Sequence, residues 1–151
     1  NHKKIKAMVN LTKGEGFGRP LLEFSLTNKP IITTNWSGHI DYLNPEFTTL
    51  LPGNLTKVHQ SAANKMLLPE AEWFSVDTGS VGAYLKNMFE NYKPYAEKGK
   101  RQGYQSRTNF SFDKMKEKID SILDSKLPKF PKQVELQLPK LQLPKLKKIE
   151  V

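Results

Sequence analysis

The sequence predicts an α/β fold: a parallel sheet flanked by helices, followed by C-terminal helices and a Pro/Lys-rich tail. Three observations predict it. Short β-prone runs alternate with short helical segments over the first fifty residues, so successive strands need crossovers and run parallel. From about Ser80 apolar residues recur at three and four positions, the period of amphipathic helices. The last stretch repeats Leu-Pro-Lys, which no packed element accommodates. A chain of 151 residues with 37% hydrophobic content supports one core but not comfortably two. The division expected is therefore a folded part, 1–126, and a low-complexity tail, 127–151.

The first strand is read over 7–12, ending in a loop with glycines at 14, 16 and 18. Pro20 fits the first turn of a helix, where its missing N–H costs nothing, and Leu21, Leu22, Phe24 and Ser25 continue it until Asn28 ends it. Residues 30–34 make the second strand, 35–38 a turn and 39–43 one or two helical turns. Residues 47–51 make a third strand stopping at Pro52-Gly53, and 73–76 a short fourth beyond an irregular stretch around 58–68. Val81, Tyr84, Leu85, Met88, Phe89 and Tyr92 mark the first long helix, which Pro94 kinks or restarts. Ser111 caps a last helix whose Phe112, Met115, Ile119, Ile122 and Leu123 share one face, with Lys114, Lys116, Glu117, Lys118 and Asp120 mostly on the other. The prolines of the Leu-Pro-Lys units at 127–129, 138–140 and 143–145 give an extended, largely disordered tail.

Composition narrows the chemistry. The chain carries 24 basic and 15 acidic residues, a net charge of +9 that raises nucleic acid, anionic membrane and phosphorylated ligands as partners. The absence of cysteine excludes a disulfide scaffold, a thiolate metal site and a cysteine nucleophile, and is compatible with a reducing, cytoplasmic setting. His2, His39 and His59 are too far apart for a helical two-histidine metal motif, so no metal is expected. No apolar run approaches the roughly 20 residues of a spanning helix. No RNA-binding or helix-turn-helix pattern supports nucleic-acid recognition, which is not expected.

The segment from Gly14 to Glu23 carries the chemistry, placing two carboxylates and a row of backbone amides where a strand feeds a helix. Glycines let a backbone turn tightly and approach a ligand, and unpaired N–H groups at a helix start attract phosphate. Glu23, read in the first helical turn, is stabilised as an anion and can accept bonds from two vicinal hydroxyls. Glu15 points from the strand end toward the crevice outside the carboxyl ends of the strands, where open α/β sheets bind ligands. The bland alternative is a tight turn with one solvated Glu and one helix-start Glu. The loop matches neither Gly-x-Gly-x-x-Gly nor a P-loop.

The run Gly14-Glu15-Gly16-Phe17-Gly18-x-Pro20-Leu21-Leu22-Glu23, then Lys29-Pro30-Ile31-Ile32, then Ser37-Gly38-His39-Ile40-Asp41-Tyr42-Leu43, resembles the C-terminal donor-binding domain of GT-B fold retaining glycosyltransferases. These are the glycogen-synthase-like "glycosyl transferases group 1". The motif match covers residues 6–51. The resemblance implies a partial Rossmann-like, nucleotide-sugar-binding domain. In the family the glutamate matched by Glu15 contacts the donor sugar, and Gly16, Phe17 and Gly18 match the loop whose amides face sugar and diphosphate. Leu21 and Leu22 would lie at the helix start beneath the phosphates, and Glu23 matches the glutamate that binds the ribose hydroxyls. The implied reaction transfers a sugar from a UDP-, GDP- or ADP-sugar donor to an acceptor hydroxyl with retention, with no permanently bound cofactor and without metal.

The family's N-terminal acceptor domain and the strands bearing its diphosphate-binding basic pair have no counterpart here, and neither Lys13 nor Arg19 is that pair. On this resemblance the chain is an N-terminally truncated fragment, the last third of an enzyme, inactive alone, weak in donor affinity because half the cleft is absent, and needing the missing domain in cis or in trans. Its acceptor is unknown. The truncated sheet edge is expected to invite self-association. The alternative is a non-catalytic interaction or assembly module that kept the fold and docks a partner through its basic tail, which also suits weak contact with an anionic surface. His39 and Trp36 each have a ligand-contacting reading and a structural one, the structural one favoured for His39. The cluster Lys98, Lys100, Arg101 and Arg107 reads as a solvated face, and Tyr92, Tyr95 and Tyr104 as packing residues.

Overall fold

A computed structural model describes residues 2–128; of the tail expected over 127–151, residues 129–151 lie outside the described residues. The described chain is mixed α/β. Strands β1 (Met8–Asn10), β2 (Ile31–Thr34) and β3 (Thr49–Leu51) form a parallel sheet in the order β1-β2-β3, with Met8 beside Ile31 and Ile32 beside Thr49. Helix α1 (Arg19–Ser25) links β1 to β2, and a 3-10 turn, Gly38–Asp41, links β2 to β3. Strand–helix–strand connectivity and a parallel sheet are compatible with a partial Rossmann-like fold.

β2 is central because all four of its residues are β-branched and buried on both faces. On one face Ile31 packs with Leu21 of α1, Tyr42 and Leu43; on the other Ile32 packs with Leu51, Val81 and Met88. Each such aliphatic side chain contributes about 1.5–3 kcal/mol by leaving water, so the two clusters clamp α1 and the long helices onto the sheet.

The second half differs from the sequence reading in one respect. The fourth strand exists as part of β5 (Glu72–Val76), but it pairs antiparallel with β4 (Gly53–Lys57) in a separate two-stranded sheet. β4 escaped detection because its residues are mostly exposed and carry no apolar run. Pro52 lies between β3 and β4 and has no N–H with which to continue a ladder, so the chain changes sheets there.

Helix α2 (Thr78–Glu90) begins two residues before Ser80 because the Asp77 carboxylate caps it, accepting from the amides of Gly79 (3.2 Å) and Ser80 (3.0 Å). Pro94 falls in the first turn of α3 (Tyr92–Asn109) and so restarts the helix there. α3 crosses close to the α1–β2 connection, where a Cβ at Gly99 would come within 2.7 Å of the Lys29–Pro30 peptide and one at Gly103 within 2.7 Å of the Ser25 carbonyl. Helix α4 (Phe112–Lys126) is capped by Ser111, whose hydroxyl accepts from the Lys114 amide at 3.2 Å. None of its fifteen residues is buried. Among the described residues no helix is long and apolar enough to cross a membrane.

Candidate functional site

The site is built on the loop between β1 and α1, at the carboxyl end of the parallel sheet. Thr12 steadies its start, its hydroxyl donating to the Gly14 carbonyl at 3.1 Å. The centre is held by residues of the β2–β3 connection. The Ser37 hydroxyl accepts from the Glu15 amide at 2.7 Å and also donates to the Glu15 carbonyl, to which the Gly38 amide donates at 3.0 Å. Both ends of Glu15's backbone are therefore fixed to one turn. A Cβ at Gly38 would lie 1.9 Å from the Gly16 carbonyl oxygen, so only glycine permits the two loops to touch. Ser37 itself has φ 82° and ψ −172°, a region L-residues occupy only under strain of about 1–3 kcal/mol.

The far end of the loop is fixed by Gly18, which adopts φ 75° at the N-cap of α1. Its carbonyl accepts from the amides of Leu21 (2.9 Å) and Leu22 (3.2 Å) and from the Tyr42 hydroxyl (2.5 Å). Burial pushes the Tyr42 phenol up to about 12, and the nearby Glu15 carboxylate adds to the shift. Phe17 stands half-exposed against Tyr42 and Phe110, with ring centroids 5.1 and 6.0 Å away. Among the described residues, the amides of Gly16, Phe17, Gly18 and Arg19 donate to no other group.

The sequence-predicted residues divide accordingly. Glu15, Gly16, Phe17 and Gly18 occupy one continuous loop, with the Glu15 side chain half-buried. Leu21 is fully buried in the core, Leu22 half-buried, and their amides are already engaged by Gly18, so neither offers a free donor. Pro20 lies in the first turn of α1 as expected, but Glu23 lies beyond that turn, because the helix already starts at Arg19. Its carboxylate pairs with the Arg19 guanidinium at 2.6 Å. Glu23 thus owes its environment to Arg19 instead of to the helix start. Lys13 is turned toward the hairpin, donating to Ser75 at 3.1 Å and lying over the Trp73 ring.

His39 takes the structural reading: it is fully buried, with Nε2 2.6 Å from the Thr34 carbonyl. Trp36 stacks on Phe74 with rings 5.9 Å apart and nearly parallel, so it packs the hairpin against the loop. Tyr92 and Tyr95 pack on the core cluster as expected, whereas Tyr104 is exposed. Arg107 leaves the expected solvated face and caps α1, donating to the Leu26 carbonyl (3.0 Å) and to Asn28 Oδ1 (2.7 Å).

Sequence reasoning missed Gln102, fully buried on α3. It donates to the Tyr42 carbonyl at 3.0 Å and accepts from the Asn44 amide at 2.9 Å, fixing the turn that carries Tyr42. The only signal for it is a polar residue on a helix otherwise read as a charged face. Among the described residues no three His, Asp or Glu side chains converge as a metal site would require.

Fold and site together define a mixed α/β chain whose strand-to-helix loop presents free amides and a carboxylate at the carboxyl edge of a parallel sheet. Comparison with protein-family models, curated proteins and solved structures finds no match for this chain.

Proposed function

We propose that this chain is the donor-binding part of a GT-B fold glycosyltransferase, which transfers a sugar from a nucleotide diphosphate to an acceptor hydroxyl with retention. The observation that carries this reading is the run of four unengaged amides, Gly16 to Arg19, beginning beside the clamped Glu15. Gly16, Phe17 and Arg19 are exposed and Gly18 is buried behind them; successive unpaired N–H groups in a loop of this kind suit a diphosphate, whose charge they meet without a metal. The leaving group gains charge as the glycosidic bond breaks, so donors already aimed at its oxygens stabilise the transition state more than the ground state. Glu15 accepts hydrogen bonds from the sugar hydroxyls and positions the anomeric carbon. Glu23 accepts from the ribose hydroxyls. Its pairing with Arg19 does not stand in the way, because an exposed pair of this spacing is worth about 0.3–0.5 kcal/mol and yields to a bidentate ligand.

Ligand-observed NMR on the purified chain with UDP-, GDP- and ADP-glucose tests the reading. Saturation transfer to at least one donor is expected, with the ribose protons losing signal in Glu23→Ala and the hexose protons in Glu15→Ala. Charge-assisted hydrogen bonds are worth about 1.5–3 kcal/mol, so each variant should weaken binding roughly tenfold or more. No transfer from any of the three donors, or transfer unchanged in both variants, contradicts the assignment.

A further inference from the structure

α4 is the anomaly of the fold. Phe112 is 82% exposed, Ile119 and Ile122 each 51%, and Met115 and Leu123 are exposed as well. A fifteen-residue helix is marginal in water without a packed face, so this one needs something to cover it.

The distribution of charge around the helix says what. Successive residues turn by about 100°, which gathers Phe112, Met115, Ile119, Ile122 and Leu123 into one arc of about 100°. Lys116 borders that arc on one side and Lys118 on the other, while Lys126 lies within it at the C-terminal end. Asp113, Glu117, Asp120 and Asp124 fall together on the opposite side. Lysines at the polar–apolar boundary can lay their methylenes along an apolar layer and keep the ammonium at its surface, and acids held away from that surface avoid repulsion by it. Lys116 is paired with Asp120 at 2.6 Å, but the pair is exposed and weakly held. Residues 129–151 follow directly with six lysines against two glutamates.

We propose that α4 is an interfacial helix that lies in the headgroup region of an anionic lipid bilayer, with its apolar arc toward the acyl chains. A second copy of the chain is the weaker occupant: it would bring two lysine-bordered arcs and two +9 chains together with no acidic border to meet them. A bilayer containing acidic lipids meets both the arc and its border. The inference does not use the donor-site reading, although Met115 and Lys118 line one cavity with Phe17 and Leu22 of the candidate site.

Cosedimentation of the full chain with phosphatidylcholine vesicles, and with mixed phosphatidylcholine–phosphatidylglycerol vesicles, tests it. Binding to the mixed vesicles is expected to exceed binding to the neutral ones at least tenfold and to fall as salt is added. Ile119→Asp with Leu123→Asp should abolish it. Lys118→Gln with Lys126→Gln, which keeps the helix and its arc, should weaken it about thirtyfold, at about fivefold per lysine. Equal binding to both vesicles, no binding at all, or wild-type binding by the double aspartate variant overturns the proposal. So does a concentration-dependent dimer, seen by light scattering, that the double aspartate variant abolishes in a chain without vesicle binding.

Discussion

At position 37 the backbone occupies a region natural to glycine, yet the residue is serine, and its hydroxyl closes both ends of the Glu15 backbone. Strain and hydrogen bonding therefore oppose one another at a single residue. Ser37→Ala keeps the strain and forfeits the bonds, and should cost about 2 kcal/mol; Ser37→Gly forfeits the bonds but relieves the strain, and should come out closer to neutral. Thermal denaturation tests both terms: an alanine variant as stable as wild type contradicts the clamp, and an alanine variant as stable as the glycine one contradicts the strain. Tyr42 makes a second residue-scale prediction. Its phenol ionises at about 12 when folded against 10.0 for the free group, so the unfolded chain loses this proton first. Tyr42's contribution is complete below pH 10 and declines as pH rises toward 12. Tyr42→Phe should flatten that alkaline decline in urea-melt stability measured across the range. Neither role was legible in the sequence: Ser37 appears there as a turn residue, and nothing local says that its hydroxyl meets a residue twenty-two positions upstream.

Elements were legible where a local rule fixes them. α1 ends at Ser25 with Leu26 as its C-cap, ahead of the expected Asn28, which takes the left-handed φ of 61° in the turn that follows, whereas Ser111 caps α4 as expected. Asp77→Ala, which removes two capping bonds from α2, should lower stability by about 1 kcal/mol, a loss that Asp77→Asn should largely restore in the same melt. The 3.6-residue period of α2 and α4 was equally clear, but periodicity reports only that a face is apolar. It does not say whether anything covers that face, and α4 is the instance where little does. β4 was illegible for the converse reason, since a strand with neither face buried has no period-two pattern to read. The glycine loop stood out because three glycines in five residues serve no core. Its fixing by Gly38 was not visible, because close approach between two loops is a tertiary fact. Gly38→Ala should displace residues 14–16 from the β2–β3 connection, an effect that faster amide exchange at Glu15 would report.

At the scale of the molecule, two apolar clusters on either side of β2 hold a parallel sheet so that its carboxyl edge presents one loop. β1 and β3 are the outer strands of that sheet. α3 secures the arrangement from below through Gln102, through the Ser25–Ser106 hydroxyl pair at 2.8 Å and through Arg107. The two clusters thus fix the loop that carries the unengaged amides of Gly16 to Arg19 and the Glu15 carboxylate, and the proposed function requires that loop to receive a phosphorylated ligand. The most direct test is the 1H–15N correlation spectrum of the chain during titration with UDP-, GDP- and ADP-glucose. Saturable shifts at Gly16, Phe17, Gly18 and Arg19 with at least one donor, much larger than those of amides already bonded in β2, are the predicted result. A spectrum in which those four resonances stay still with all three donors would contradict it.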